Sequence, residues 1–382
     1  MKRIWIWMTL LAMLAGSASA GQAAELSAGG KSALLMDMAT GTVLYEHNSH
    51  EPLAPASVTK VMTMLLIMEA IDSGKIGWED MVTASEAAAA KGGSQVYLKV
   101  GETMTVSEML KSITVSSAND CACAMAEHIA GSEAAFVEQM NTRAKELGMA
   151  DTHFVNCTGL DDSPEAASHR TSAHDIALMS RELMKNHPEI QKFTTIWMDT
   201  VRGGAFGLSN TNKMIRFYNG ATGLKTGFTS GAGYCLSATA RRDGLDLIAV
   251  VMGAETSRQR FDACKAMLDH GFASYALVTP EIQDGPAEVP VQLGKEQTVI
   301  ARLAEHNPVL IDKNQRQSVT MQARLEQQVE APVSQGQRLG TFTVKAGDRI
   351  LMEIPLVAAN PVERLSFGDL FVTTLRRAAM AG

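Results

Sequence analysis

Short apolar runs that are typical of β-strands lie near both ends of the first 280 residues. Near the start, two such runs flank a turn at Ala39-Thr40-Gly41, and later two more flank an Asp-Gly turn at Asp243-Gly244. Turn residues between strand-like runs predict two β-hairpins, because Gly and Asp favour a reversal of the chain. The predicted strands are 32–38, 42–47, 233–240 and 245–253.

Between and after these hairpins the apolar residues recur at helical spacing, as Val61, Leu65 and Met68 do. The predicted helices are 57–71, 106–113, 120–129, 133–147, 174–185 and 258–270. Strands at both ends of a region with helices between them are typical of an antiparallel sheet flanked by helices. The pattern therefore predicts an α+β domain over 25–277.

The pattern changes near Pro280, beyond which short alternating segments such as 319–325 are separated by turn residues. Such segments predict a small all-β domain, a β-sandwich, over 281–358. The final segment, 361–382, returns to helical spacing. Phe367, Leu370, Phe371, Leu375 and Ala378 fall on one face of that helix, and Ser366, Asp369, Thr373, Arg376 and Arg377 fall on the other.

An amphipathic helix of this kind can lie in a membrane interface, with Arg376 and Arg377 toward anionic lipid. A helix docked on the β-domain, or a frayed tail, explains the same pattern equally well. The 361–382 segment is thus a membrane-anchor hypothesis with two open alternatives.

The N-terminus has the three parts of a secretory signal. Lys2 and Arg3 are positive, residues 4–14 are apolar, and Ala18-Ser19-Ala20 is a small-residue cleavage site, with Ala24 as a second possibility. The apolar run is short for a membrane span, so a signal peptide over 1–24 is favoured over an uncleaved anchor. The mature protein is then expected to be exported, at the outer face of a bacterial cytoplasmic membrane.

Composition narrows the classes of function. Hydrophobic residues make up 46% of the chain and charged residues 20%, which fits a globular protein with a sizeable core. The formal net charge is −7, and it becomes −9 without Lys2 and Arg3. An acidic protein of this kind is not suited to hold nucleic acid non-specifically. No nucleic-acid partner is therefore expected.

The cysteines have no spacing that is typical of a metal or redox site. An odd number of thiols in an exported chain cannot be fully paired within it, and Cys121 and Cys123 are separated by a single residue. We therefore expect small buried apolar side chains and no metal site. The five cysteines are Cys121, Cys123, Cys157, Cys235 and Cys264.

The first motif with chemical content is Ser57-Val58-Thr59-Lys60, at the start of a strongly apolar predicted helix. One helical turn brings the Lys60 amine back toward the Ser57 hydroxyl. A serine hydroxyl is a poor nucleophile until a neighbouring base takes its proton, and lysine is such a base only when its pKa is lowered. Burial and a second cation both lower it. Alone, the motif is close to chance, and Ser57 as a helix N-cap is the alternative.

The second motif is Ser117-Ala118-Asn119. The Ser117 hydroxyl can relay a proton to a leaving group, and the Asn119 amide can hold Lys60 and a substrate carbonyl at once. The alternative is a loop in which Asn119 or Asp120 caps the next helix, and capping is compatible with catalysis.

The third motif is Lys225-Thr226-Gly227, just before the 233–240 strand and on a predicted edge strand. Lys225 supplies a cation for a substrate carboxylate, Thr226 and Thr229 supply hydroxyl groups, and Gly227 lets a substrate backbone approach. A solvated surface lysine is the alternative for Lys225. The order of the three motifs is the one found in class A β-lactamases and penicillin-binding proteins.

With these residues the chain resembles the low-molecular-mass penicillin-binding proteins that act as D-alanyl-D-alanine carboxypeptidases, which have a β-lactamase/transpeptidase-like fold. The resemblance runs from about Leu26 through the tail, with a C-terminal amphipathic helix after the β-domain. Ala118 stands where the family more often has Gly. The segments that carry the resemblance are 53–63, 92–94, 116–121, 223–229, 331–333 and 336–339.

The resemblance implies a role for each residue of the motifs. Ser57 forms an acyl-enzyme with the D-Ala-D-Ala peptide bond of a peptidoglycan stem and with β-lactam inhibitors, and Lys60 is the base. Ser117 and Asn119 assist, while Lys225, Thr226, Gly227 and Thr229 bind substrate. The N–H groups of Ser57 and Phe228 form the oxyanion hole. Arg260 lies where the family has an arginine near the substrate carboxylate. No metal or organic cofactor is needed, since a Ser–Lys pair moves the proton alone.

Three other functions are alternatives to carboxypeptidase activity for a chain with these motifs. A class A β-lactamase uses an added glutamate and a water to deacylate, and no Glu-x-x-Leu-Asn occurs around 152–160. A D,D-endopeptidase of peptidoglycan cross-links has the same three motifs and stays open. A non-catalytic scaffold is disfavoured because Ser57, Lys60 and Lys225 are all intact.

Overall fold

The computed structural model describes residues 26–282, 285, 287–369 and 371. The expected signal peptide, 1–24, lies outside the described residues. The α-helices are α1 (Lys60–Asp72), α2 (Glu86–Ala89), α3 (Val106–Ser116), α4 (Asn119–Ala130), α5 (Glu133–Glu146), α6 (Ala173–Asn186), α7 (Gln191–Thr194), α8 (Met214–Phe217) and α9 (Ser257–Ser274). Short 3₁₀ turns lie at Ala56–Thr59, Pro164–Ser168, Pro188–Ile190 and Lys313–Ser318.

The strands are numbered in chain order. They are β1 (Ser32–Asp37), β2 (Val43–His47), β3 (Met81–Thr83), β4 (Thr103–Thr105), β5 (Met198–Val201), β6 (Phe206–Ser209), β7 (Ala221–Thr229), β8 (Gly233–Arg242), β9 (Leu245–Ala254), β10 (Tyr275–Val278), β11 (Ala287–Gln292), β12 (Thr298–Leu303), β13 (Val309–Asp312), β14 (Val319–Leu325), β15 (Val329–Glu330), β16 (Arg338–Ala346) and β17 (Arg349–Ala358).

The main sheet has the strand order β2-β1-β9-β8-β7, and every neighbouring pair in it is antiparallel. Both predicted hairpins are present, and β9 pairs with β1, so the two ends of the domain meet in the sheet. Strand β7, which carries the Lys225-Thr226-Gly227 motif, lies at the edge as expected. The predicted α+β class, an antiparallel sheet flanked by helices, is confirmed.

Helices cover both faces of this sheet, because successive side chains of a strand point to opposite faces. Leu34 of β1 and Val250 of β9 pack in the core under α1 and α4, whereas Leu35 and Val251 pack under α9. Helix α1 is buried all round from Lys60 to Met68 except for slight exposure at Leu66. A helix that is apolar all round is a central one. The Ser57-Val58-Thr59-Lys60 motif at its start is therefore anchored in the middle of the domain.

The second domain has its own six-stranded sheet, with the order β14-β16-β17-β12-β11-β15. Its core contains Val289, Leu339, Phe342 and Ile354. It is joined to the first domain by antiparallel pairing of β10 with β13, and Lys313 Nζ donates a 2.6 Å hydrogen bond to the carbonyl of Phe272. The all-β character expected beyond Pro280 is confirmed.

The last described residues differ from the helix expected over 361–382. Val362 pairs with Val333, and Leu365 N–H donates to the Leu293 carbonyl, so 361–366 extend the β-domain because its edge satisfies their backbone groups. Helical residues begin at Phe367, after a mutual cap between Ser366 and Asp369. Residues 370 and 372–382 lie outside the described residues. Among those described, no helix has the length and apolar character that crossing a membrane requires.

Candidate active site

Ser57 and Lys60 meet where a 3₁₀ turn passes into α1. Lys60 Nζ lies 3.0 Å from Ser57 Oγ and donates a 2.8 Å hydrogen bond to the Thr158 carbonyl. Lys60 is fully buried, and burial lowers its pKa from 10.5 to about 7, although Cys157 and Asp120 act in the opposite direction. A substantial fraction of Lys60 is therefore neutral near pH 7 and able to accept the Ser57 proton. Ser57 does not cap α1, since Thr59 occupies the N-cap position.

A buried neutral histidine, His169, supports the turn that carries Ser57. Thr59 Oγ1 donates to the Ala56 carbonyl at 2.8 Å and lies 2.8 Å from His169 Nε2. Burial, together with nearby cations, lowers the pKa of His169 to about 4. His169 Nδ1 accepts the Val155 N–H, so Nε2 carries the proton and donates to Thr59. This support holds the turn without adding a charge next to Lys60.

A loop at 156–160 closes the site over Lys60. Asn156 Oδ1 accepts the N–H groups of Thr158 and Gly159 at 3.1 and 2.6 Å, and Thr63 Oγ1 donates to the Cys157 carbonyl at 2.6 Å. A Cβ on Gly159, whose φ is +81°, would lie 1.8 Å from the Ala56 carbonyl oxygen. Only glycine fits this position, so the loop and the nucleophile turn touch backbone to backbone.

Sequence reasoning used the 152–160 stretch only to exclude a deacylating glutamate, and it missed Thr158. The structure shows that this stretch supplies the Thr158 backbone carbonyl to Lys60. The sequence Asn156-Cys157-Thr158-Gly159 predicts a tight turn, but it does not predict that this turn contacts Lys60.

Ser117 and Asn119 lie at the junction of α3 and α4. Ser117 ends α3 in the left-handed region, with φ 62° and ψ 30°, and is 3% exposed. A non-glycine residue held there stores roughly 1–3 kcal/mol of strain, which persists only where the surroundings impose it. The Ser117 backbone is thereby held in one conformation at the helix junction, with its side chain buried.

Asn119 is held by the loop at 92–94. Its Nδ2 donates to the Gly92 carbonyl at 2.7 Å, and its N–H donates to the Ser94 carbonyl at 2.7 Å. The expected hydrogen bond from Asn119 to Lys60 is not formed among the described residues: Nδ2 donates to Gly92, and Lys60 Nζ contacts Ser57 and Thr158. Asn119 Oδ1 is buried with no partner in the described part of the chain, so it is an acceptor ready for a ligand N–H.

The capping alternative for Asn119 and Asp120 is wrong. The N-cap of α4 is Ala118, which makes no side-chain cap. The Asp120 carboxylate instead accepts the N–H groups of Val96 and Leu98 at 3.1 and 3.0 Å. It therefore ties the loop after Ser94 to the same helix that carries Asn119.

Strand β7 packs directly against the nucleophile turn. A Cβ on Gly227 would lie 2.6 Å from the Pro55 carbonyl oxygen and 3.1 Å from the amide nitrogens of Ser57 and Val58. Glycine is required by this close approach. The N–H groups of Ser57 and of Phe228, the residue after Gly227, consequently belong to neighbouring backbone segments.

Lys225 is completely buried, unlike a solvated surface lysine. Its Nζ donates to the Thr226 carbonyl at 2.9 Å. Burial first, and then the charges of Lys60 and Arg260, hold the pKa of Lys225 well below its usual range. The second lysine expected near Lys60 is present, but burial disfavours its charged form, and burial is also what lowers the pKa of Lys60.

The hydroxyls of β7 point to different partners. Thr226 Oγ1 donates to Thr211 Oγ1 at 2.7 Å, and Thr229 Oγ1 accepts the Ala232 N–H at 3.1 Å. Phe228 is 53% exposed and stacks on Tyr234, with ring centroids 4.3 Å apart. Its side chain therefore lines the outer surface of the strand.

Arg260 of α9 is 7% exposed and bound to strand backbone. Its Nη1 donates to the carbonyls of Gly227 and Cys235 at 2.8 and 3.1 Å, and its guanidinium faces the Tyr234 ring at 5.2 Å. Burial lowers its pKa. Its Nε is buried with no partner among the described residues. Arg260 thus fixes the strand segment beside Ser57 while bringing a positive charge near Lys225.

The remaining polar clusters do not join this site. Glu69, Glu182 and His187 have the spacing of a possible metal group, but Glu69 lies roughly 13 Å beyond Lys60 along α1. Arg143 donates to the carboxylates of Glu69 and Glu182 at 2.7 Å each, so a protein cation already pairs with both of them. The five cysteines are buried free thiols, as expected.

Comparison with protein families gives two matches along the chain. A family described as D-alanyl-D-alanine carboxypeptidase matches residues 18–256. A domain described as the C-terminal domain of penicillin-binding protein 5 matches residues 282–364. Together the two matches follow the order of the two domains in the structure.

Individual relatives are similar to the chain over most or about two thirds of its length. The chain is 43% identical over 358 residues to the D-alanyl-D-alanine carboxypeptidase DacF of Bacillus subtilis, covering 92% of this chain and 90% of that protein. It is similar to penicillin-binding protein 5 of Haemophilus influenzae, with a TM-score of 0.74, 29% identity, and 88% and 98% of the two chains covered. It is also similar to penicillin-binding protein D2 of Listeria monocytogenes in an ampicillin-bound form, with a TM-score of 0.59, 32% identity, and 65% and 99% covered.

Proposed function

The chain belongs to the D-alanyl-D-alanine carboxypeptidase family, a family of serine peptidases, and we propose that Ser57 is the nucleophile with which it removes the terminal D-alanine from peptidoglycan stems. The observation that carries the proposal is the 3.0 Å contact between Ser57 Oγ and the buried Lys60 amine, whose pKa is about 7. A base is most effective when its pKa lies near the working pH.

Acylation begins when neutral Lys60 takes the Ser57 proton as Oγ attacks the carbonyl carbon of the D-Ala-D-Ala bond. Negative charge then develops on the carbonyl oxygen, and the N–H groups of Ser57 and Phe228 are the donors proposed to stabilise it. The proton passes from Lys60, through the Ser117 hydroxyl, to the departing D-alanine nitrogen. The C–N bond breaks and leaves an ester on Ser57.

Hydrolysis of that ester uses the same groups in reverse. Lys60, again neutral, takes a proton from an attacking water, and the ester oxygen of Ser57 regains a proton as the bond breaks. No step needs a metal or an organic cofactor, since the amine and hydroxyl groups carry every proton.

Substrate binding is assigned to the strand side of the cleft. A substrate carboxylate beside Lys225, Thr226 and Thr229 would favour the ammonium form of Lys225 and so restore the charge that burial disfavours. Arg260 adds positive potential at the same strand through its contact with Gly227. The unpartnered Asn119 Oδ1 suits a substrate backbone N–H.

Product analysis tests the reaction. A pentapeptide ending in D-Ala-D-Ala is expected to lose one D-alanine per turnover, measured by amino-acid analysis, whereas purified cross-linked muropeptide dimers are expected to persist. A D,D-endopeptidase would show the opposite: loss of dimers with little free D-alanine from the pentapeptide. That result would overturn the carboxypeptidase assignment and leave the Ser57 chemistry intact.

We also propose that the protein is exported and is held at the membrane surface by its tail. Phe367 is 85% exposed and Phe371 58%, which supports an apolar face with no partner on the β-domain. Arg376 and Arg377 would lie toward anionic headgroups.

Truncation after Leu365 tests the anchor, because it keeps the Val362 and Leu365 hydrogen bonds to the β-domain. The truncated protein is expected to stay in the supernatant when sedimented with anionic vesicles, while the chain through Gly382 co-sediments. As a matched control, Phe367→Ser with Phe371→Ser should also release the protein. Equal sedimentation of all three forms would exclude the tail as the anchor.

A further inference from the structure

The geometry points to Glu133, the first residue of α5, as a positioning residue. Its carboxylate joins the 156–160 loop over Lys60 to the 92–94 loop that holds Asn119, the loop over Asn119. The inference rests on the proposed function, in that it takes Ser57 and Lys60 as the reacting pair. Glu133 itself touches neither residue.

One oxygen of Glu133 holds the loop over Lys60. Oε1 accepts the Cys157 N–H at 3.2 Å and lies 3.2 Å from Cys157 Sγ. Burial, and then the charge of Glu133, raise the pKa of the Cys157 thiol, so the thiol keeps its proton and donates it. The next residue, Thr158, provides the carbonyl that accepts the Lys60 hydrogen bond at 2.8 Å. A shift of Cys157 would therefore move an oxygen that contacts the base.

The other oxygen of Glu133 holds the loop over Asn119. Oε2 pairs with Lys91 Nζ at 2.6 Å. The next residue, Gly92, gives its carbonyl to Asn119 Nδ2 at 2.7 Å, and a Cβ on Gly93 would lie 2.8 Å from that same nitrogen. The Asn119 amide is thus held by the 92–94 loop, and Lys91, the residue before that loop, is paired with Glu133.

Burial makes this bridge stronger than a surface ion pair. The Lys91 and Glu133 side chains are 24% and 22% exposed, and the Cys123 thiol lies 3.9 Å from Oε2. Burial raises the pKa of Glu133, but the hydrogen bond and charge of Lys91 outweigh it and leave that pKa below its usual range. Both groups are therefore charged at neutral pH, and a carboxylate is needed to satisfy Lys91 and Cys157 together.

Glu133→Gln tests the bridge, because the amide keeps the shape but presents N–H groups to the Lys91 ammonium. Acylation by labelled penicillin is expected to slow roughly ten- to hundredfold, the loss seen when a group that orients a functional ligand is removed. Water admitted around Lys60 would also relieve its burial and raise its pKa. The acid limb of the acylation rate is therefore expected to move to higher pH, which a merely structural role would not cause.

Glu182→Gln is the matched control, since the Arg143–Glu182 pair has the same exposure, 22% and 20%, and a 2.7 Å contact. It is expected to leave the acylation rate and its pH profile unchanged. Lys91→Met removes the other partner of the same ion pair. In the double variant its effect on the acylation rate should not add to that of Glu133→Gln. If Glu133→Gln does not fold, Lys91→Met carries the same test.

Two failures are distinguishable. If the unmodified protein is not labelled at Ser57, the proposed function is wrong. If it is labelled, but Glu133→Gln and Lys91→Met acylate at the unmodified rate with an unmoved acid limb, the inference about Glu133 is overturned and the function stands.

Discussion

Replacing Ser57 with alanine is expected to abolish labelling by penicillin and to lower D-alanine release about 10⁶-fold, the loss found when a catalytic serine is removed from a serine peptidase. The reason is that Ser57 Oγ is the hydroxyl found in contact with Lys60, so its removal takes away the proposed acceptor of the acyl group. The fold should be unaffected, since in the described part of the chain the Ser57 hydroxyl makes a side-chain hydrogen bond only with Lys60. The measurement is mass spectrometry of the intact protein after incubation with the inhibitor.

Ser117→Ala is the informative control, because Ser117 is the other serine assigned to the site and its side chain is buried. That variant is expected to be labelled more slowly than the unmodified protein, with the label still on Ser57. A label that persists in Ser57→Ala, or that maps to Ser117, would contradict the nucleophile assignment.

Replacing Lys60 with methionine is expected to lower the acylation rate roughly 10²–10⁴-fold, the range that a positioned general base contributes. Methionine has a similar length and no charge to bury, so the helix core around α1 should remain packed. What is lost is the acceptor for the Ser57 proton. The same change at Lys75, on the exposed segment after α1, should leave the rate unchanged.

The pH dependence of the unmodified protein follows from the same residue. Burial lowers the pKa of Lys60 to about 7, and only the neutral amine can act as the base. The acylation rate should therefore rise as pH increases through about 7, and it should fall toward lower pH as Lys60 is protonated. Rates that do not change between pH 6 and pH 8, or a Lys60→Met variant within threefold of the unmodified protein, would exclude Lys60 as the base.

Local pattern predicted most of the elements because it records which side chains each element must bury. The helical period of Val61, Leu65 and Met68 corresponds to α1, and the Asp243-Gly244 turn joins β8 to β9. The terminal segment was predicted less well. Residues 361–366 have the composition of a helix start, but pairing of Val362 with Val333 decides their conformation.

The three motifs name the candidate residues of the site, but they do not predict how those residues interact. The Ser57–Lys60 contact follows from one helical turn, and it is found at 3.0 Å. The Asn119–Lys60 hydrogen bond is not found among the described residues: the Asn119 amide nitrogen donates to Gly92, and the Lys60 amine donates to Thr158. Both partners are backbone carbonyls from loops that carry no motif.

The sequence alone determined the residue types of the reaction, their order along the chain and the edge-strand position of Lys225, since each depends on local spacing. Tertiary structure decided the properties that make the pair reactive. The pKa of Lys60 falls because α1 lies at the centre of the domain under the 156–160 loop, and burial is a sum over the whole fold. The close packing of the Ser57 turn depends on Gly159, which lies against Ala56, and on Gly227 of strand β7, which lie roughly 100 and 170 residues further along the chain.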